Sequence, residues 1–347
     1  MCLLRVLLYL GEKMAKNHTR YIFSMGELKR KDNSIAFINK KGNFYIPIKD
    51  TRELYCFNEV SFNTKFLDFI SRAGITLHLF NYYGNYSGTF YPKETLISGD
   101  LTIKQSYAFV ENRIRIAKSI VLAISKNIHE VLYHYYRHGT KELKPYLDWL
   151  KKDVVKFLKK DISIEQTMFI EGQIWHRFYD SFQHFLPEDF VMNKRVKRPP
   201  DNPINALVSF GNTLLYTKTI SAIYKTHLNQ AISFLHSPRE GRFSLSLDLS
   251  EAFKPIIVFK TIFDLVGRKQ LQVSKHFDKS LNYALLNESG KKIFIDAFET
   301  RINETFMHKK LKRKVSYKHC LKLDGYKLIK HILEDKEFTP FLLKEKQ

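Results

Sequence analysis

The segment HSPREGRFSLSLDLSEAFKP, residues 236–255, brings a histidine, a glycine-bearing turn and two acids, Asp248 and Glu251, into one short span. The acids are three apart, so on a helix they share a face. A further carboxylate, Glu171, lies upstream in SIEQTMFIEGQIWHRFYDSF. There Ile164, Met168, Trp175, Phe178 and Phe182 recur at helical spacing, and Glu171 falls on the same stripe. An unpaired charge on an apolar helix face is costly to bury, so Glu171 needs a partner. The mixed carboxylate and imidazole set Glu171, His236 and Glu251 suits Mn²⁺ or Mg²⁺, with positions left open for water or phosphate oxygens. A cation so held polarises a phosphate and stabilises an attacking or leaving oxygen. Singly, each residue also has an ordinary reading: His236 as a hydrogen-bonded surface imidazole, Asp248 as a helix cap, Glu251 as a solvated acid. Glu171 is the hardest to explain away.

The elements that must position these residues belong to an α+β chain, a small N-terminal β-rich domain followed by a larger all-α C-terminal domain. Boundaries are expected at 14–93 for the first, 94–100 for a linker (ETLISGD) and 101–347 for the second. From Tyr21 to about Pro92, short β-rich runs are broken by Lys-Asp-Asn and Lys-Lys-Gly-Asn turns. One helix interrupts them near Asn63–Ala73, with Phe66, Phe69 and Ile70 as its apolar face. Beyond the linker the periodicity is helical almost throughout, with a long apolar helix in ALVSFGNTLLYTKTISAIYKTH. The stretch MCLLRVLLYLGEK lacks a basic n-region and a small-residue cleavage site, so it reads as an upstream start and Met14 as the more sensible opening.

Charge narrows the partner. Lys plus Arg number 57 against 35 acids, a net charge of +22, which favours a polyanion. Lys194, Arg195, Lys197 and Arg198 precede Pro199-Pro200, and Lys309, Lys310, Lys312 and Arg313 cluster later. Such groups contact phosphates without reading sequence. Arg239 and Arg242 flank the turn after His236, and Tyr216 lies on the helix before it; all join the candidate DNA contacts. Cys2, Cys56 and Cys320 are odd in number and far apart, which points to a reducing cytoplasm rather than a disulfide framework or a zinc site. No apolar run reaches the roughly 20 residues of a membrane span. No G-x-x-x-x-G-K-[ST], G-x-G-x-x-G or G-x-S-x-G motif is present, so nucleotide hydrolysis, dinucleotide binding and serine hydrolysis lack a site.

Several ordered motifs together resemble the CRISPR-associated Cas1 family, over roughly Thr19–Phe341. They are YIFSMGELKRKDNSI, IEGQIW, RPPDNPINALVSFGNTLLY, FLHSPREGRFSLSLDLSEAFKP, LNESGKKIFIDAFETRINETF and RKVSYKHCLKLDGYKLIKHI. The late segments resemble the subtype I-B branch. The resemblance implies Glu171, His236 and Glu251 as metal ligands, with Asp248 a further acid of the catalytic set. It also implies a homodimer formed through the β domain, two of which flank a Cas2 dimer in a heterohexamer on double-stranded DNA. The implied reaction joins 3′-hydroxyl ends of a short duplex into a CRISPR array by transesterification, with nuclease activity on DNA. Where the family commonly carries Asp followed by Arg after the Lys-Pro pair, this chain has Phe259-Lys260, which removes an acid near the site. The rival readings are a non-catalytic DNA-binding scaffold that uses the same basic surface, and a membrane-surface protein that leans only on charge and residues 1–13.

Overall fold

The structure is a computed structural model and describes residues 19–81, 83–93, 96–197, 199–280 and 283–343. The stretch 1–13, Met14, Glu94 and Thr95 of the expected linker, and Arg198 lie outside the described residues. The chain divides between Thr95 and Leu96 into two compact units.

The first unit holds β1 (Thr19–Ile22), β2 (Gly26–Lys31), β3 (Ser34–Asn39), β4 (Gly42–Pro47), β5 (Glu53–Cys56), β6 (Val60–Phe62), α1 (Thr64–Arg72), β7 (Thr76–Phe80) and β8 (Tyr86–Phe90). They make two four-stranded sheets, ordered β1-β5-β7-β8 and β4-β3-β2-β6. Alternation sorts the faces: Leu28, Ile35, Phe37, Ile46, Leu54, Cys56 and Leu77 meet Phe66 and Ile70 of α1 in one buried cluster. Asn63 caps α1, its side chain accepting from the Phe66 N–H. Phe66 and Ile70 are fully buried; Phe69, expected beside them, is half-buried with the Arg30 guanidinium over its ring.

The second unit is largely helical. Its elements are α2 (Gly99–Glu111), α3 (Arg113–Arg137), α4 (Lys144–Trp149), α5 (Val155–Leu158), α6 (Ile164–Asp180), α7 (Pro203–Tyr224), α8 (Ser244–Glu251), α9 (Lys260–Gly267), α10 (Val273–His276), β9 (Phe277–Ser280), β10 (Tyr283–Leu286), α11 (Glu288–Asn303), β11 (Thr305–His308), β12 (Arg313–Ser316) and α12 (Tyr317–Glu334). The two antiparallel hairpins correct the expectation of an all-α domain. Each strand has only four residues and leans on neighbouring helices, so its local signal is weak. Two π-turns, Leu150–Val154 and Pro255–Phe259, join α4 to α5 and lead into α9. Helix α7 is apolar nearly all round and accordingly central. Its one buried cation, Lys218, meets Glu299 of α11 at 2.7 Å. Among the described residues no helix is long and apolar enough to cross a membrane.

Candidate metal centre

Glu171 is delivered by regular structure. Ser163 and Gln166 close a capping box at the start of α6, which fixes the helix register. Thr167, Ile170, Ile174, Trp175 and Phe178 form its buried face. Burying side chains such as Ile174 and Phe178 contributes about 1.5–3 kcal/mol each, enough to hold the helix in place. The buried face is rotated from the expected stripe: Met168 is 38 % exposed, and half-buried Glu171 stands at the edge of the face rather than on it. A carboxylate there reaches His236 and Glu251 while its stem packs.

His236 is delivered differently, by a segment without regular structure. Asp248, fully buried on α8, accepts from the backbone N–H groups of Phe234 (2.7 Å), Leu235 (2.8 Å) and His236 (3.0 Å). It also meets His236 Nδ1 at 2.8 Å. A carboxylate only accepts, so Nδ1 carries the proton and Nε2 is left with its lone pair for a ligand. Asp248 therefore stands behind His236, as a positioning residue, and not among the reacting groups. From the other side Gln105 of α2 donates to the Asn229 and Ile232 carbonyls, both at 2.9 Å, and accepts from the Asn229 N–H at 3.0 Å. Arg113 Nε donates to the Phe234 carbonyl at 2.9 Å.

Glu251 closes α8. One ligand atom from each of Glu171, His236 and Glu251 lies within 4.8 Å of the other two. Lys254 Nζ pairs with Glu251 Oε1 at 2.5 Å and stands 5.8 Å from the centre of the Trp175 ring. Glu251 Oε2 is buried with no hydrogen-bond partner among the described residues. Burial, then the facing Glu251 carboxylate, push Glu171 up to about 7, against the pull of His236, Lys254 and the Trp175 indole. Burial drags the His236 imidazole down, but the bond to Asp248 and the nearby carboxylates outweigh it, and the net shift is upward. Two facing acids, an imidazole with a free lone pair and an orphaned buried oxygen fit a divalent cation of the hard, oxygen-seeking kind.

The expected anion contacts divide into committed and open groups. Arg195 donates to the Val196 carbonyl, Asn205 Oδ1 and Ser209 Oγ, which pins the loop to α7. Arg242 bonds Ser244 Oγ and the Ser237 carbonyl and closes the turn, whose Gly241 has φ +66°. Tyr216 accepts from the Phe243 N–H at 3.1 Å. Lys194, Lys197 and Arg239 are exposed. Lys309, Lys310, Lys312 and Arg313 are exposed at the tip of the β11–β12 hairpin, where Lys312 has φ 49°. Phe259 is fully buried, with Phe178 at 4.8 Å and Trp175 at 5.6 Å between ring centres. An acid at this position would be stranded among rings.

Sequence reasoning did not find Gln105, Arg113 or Lys254. Gln105 left a signal, a long polar side chain on the buried side of an amphipathic helix. Arg113 and Lys254 left none.

A model of the family described as CRISPR associated protein Cas1 matches residues 20–300. A CRISPR-associated endonuclease Cas1 from Fusobacterium nucleatum is 44 % identical over 324 residues, 92 % of this chain and 95 % of the relative. A CRISPR-associated protein Cas1 from Methanobrevibacter ruminantium is 41 % identical over 93 % of this chain and 98 % of its own length. The solved Cas1 structure from Thermotoga maritima superposes with a TM-score of 0.81 at 36 % identity, over 92 % of this chain and 98 % of that one. A casposase bound to integration product shares the fold, with a TM-score of 0.80 at 18 % identity over 94 % and 95 % of the two chains. By sequence and by fold alike, the chain belongs to the CRISPR-associated Cas1 family.

Proposed function

We propose that this protein is a metal-dependent DNA endonuclease and integrase of CRISPR adaptation. In this reading Glu171, His236 and Glu251 hold Mn²⁺ or Mg²⁺. The observation that carries it is the three-residue cluster with its orphaned Glu251 Oε2. The cation would supply charge stabilisation to a phosphodiester, the larger part of catalysis in phosphoryl transfer. The chain's own residues set the scene: Asp248 holds the His236 tautomer, and Lys254 neutralises Glu251. The exposed Lys194, Lys197, Arg239 and the β11–β12 tip would carry phosphate contacts to duplex DNA. The partners are a second copy of this chain and a Cas2 dimer, in a heterohexamer on a short duplex with 3′-hydroxyl ends. A Cas6-RT-Cas1–Cas2 complex of the same fold, at 16 % identity, is in keeping with that assembly. We place the chain in the subtype I-B branch on its late segments, and in the cytoplasm on its three widely spaced cysteines.

The Lys254–Glu251 pair favours a second reading, in which the acids are structural and the protein is a DNA-binding scaffold without catalysis. Strand transfer separates the two. The protein, Cas2 and Mn²⁺ are incubated with a 3′-hydroxyl duplex and a supercoiled plasmid bearing a repeat. Joined product from the parent, absent with His236→Ala while DNA is still bound, supports the integrase. DNA binding without joining or cleavage by the parent supports the scaffold.

A further inference from the structure

The link between α8 and α9 directly follows Glu251 and is short of backbone donors. Pro255 has no N–H, so the Glu251 carbonyl lacks its i+4 partner. The Ile256 N–H, which would serve the Ala252 carbonyl, bonds Phe253 O at 3.1 Å instead. A buried carbonyl left so must find a donor elsewhere.

It finds one in Asn127, fully buried in the middle of α3. Asn127 Nδ2 donates to Ala252 O at 2.8 Å and to Phe341 O at 2.9 Å, and its Oδ1 accepts from the Leu343 N–H at 2.8 Å. Its three polar bonds therefore join α3, the residue after Glu251 and the segment that follows α12. That segment is seated on its own account. The Phe341 N–H bonds Asp324 Oδ2 at 2.7 Å, and the Phe341 ring stacks on Phe253 at 5.2 Å and 15°. Tyr317 meets the same ring edge-on at 5.7 Å. Phe341 is 1 % exposed. Residues 252 and 253, the two that carry the chain away from Glu251, are thus held by Asn127 and by the Phe341 ring, which Asn127 ties together.

We propose that Asn127 and the strap residues Phe341 and Leu343 are positioning elements of the Glu171–His236–Glu251 centre, setting where the Glu251 carboxylate stands. This rests on the metal reading above, and supporting groups of this kind typically change metal affinity on removal. None of these residues touches substrate.

The test is calorimetric titration of the metal-free protein with Mn²⁺ alone, with melting followed in parallel. Asn127→Ser keeps a small polar residue but withdraws both donors from reach. It should raise the Mn²⁺ dissociation constant about tenfold. Lys218→Met, which breaks the buried pair with Glu299 elsewhere in the unit, should lower the melting temperature and leave Mn²⁺ affinity unchanged. That contrast is one a general loss of stability would not give. If Asn127→Ser does not fold, Phe341→Leu loosens the same strap with the main-chain bonds available, and should weaken Mn²⁺ binding several-fold. Parent-like affinity in whichever strap variant folds overturns the proposal while leaving the metal reading intact. A parent protein that takes up no Mn²⁺ overturns both.

Discussion

Glu171 and His236 reach the same cluster by opposite means. Glu171 rides on α6, whose register is set by a capping box and a buried face. Its position is a property of the helix, and many residues share in fixing it. His236 rides on a segment with no ladder of its own. That segment's polar groups are held by Asp248 from one side and by Gln105 and Arg113 from another. The lesson is about where fragility lies. A site built on a helix tolerates loss of any one support, whereas a clasped segment depends on each clasp.

The largest effect should come from Asp248→Asn, which keeps the shape and loses the charge. The new amide would face backbone donors that now meet a carboxylate. Breaking a buried charged network of this kind should cost about 3 kcal/mol and abolish Mn²⁺ binding. Denaturant melts and metal titration read the two losses. Gln105→Ala comes next. It removes three hydrogen bonds to the 229–232 backbone and should cost about 2 kcal/mol, with a weaker hold on Mn²⁺. If Gln105→Ala binds Mn²⁺ as the parent does, the clasped segment is stiffer than its bonding suggests and the contrast with α6 fails.

The last effect concerns Glu171 itself and runs in the stabilising direction. Its carboxyl titrates near 7 in the metal-free fold, above the ordinary 4.5. The unfolded chain ionises first as pH rises, so the stability tied to the protonated form is fully present below 4.5 and lost on the way to 7. Glu171→Gln should therefore melt about 3 °C above the parent at pH 8 in chelator, and level with it at pH 4. In the parent, Mn²⁺ affinity should rise as pH passes upward through 7, because a ligand carboxyl must first lose its proton. A flat profile across that range would remove Glu171 from the cluster's electrostatics.

The first unit was legible because its strands are short β-rich runs bounded by turn residues. The helix expected at Asn63–Ala73 is α1, Thr64–Arg72. In the second unit the long helices were legible and the hairpins were not, since four-residue strands have too little pattern to outweigh the helices around them. The candidate ligand types could be read because carboxylates and an imidazole are rare choices for a partly buried cluster. The clasps could not: Gln105 and Asn229 are 124 positions apart, and no local rule links them. The stripe argument for Glu171 rested on a face that the helix does not bury as expected. Thr167, Ile170 and Ile174 carry the buried face, and Met168 is exposed.

The π-turn at Pro255–Phe259 has a consequence for which changes of chain length the fold can absorb. A π-turn holds one residue more than the α-helix it interrupts. Deleting a single residue there would yield a smoother helix and rotate everything after it by about 100°. Phe259 and Phe263 would swing away from Trp175, Phe178 and Phe182, and the wall behind Glu171 would come apart. Substitutions of similar bulk in Ile256–Val258 should be accepted, but insertions and deletions should not. The surface turn at Lys309–Lys312, with no such wall to keep in register, should accept both.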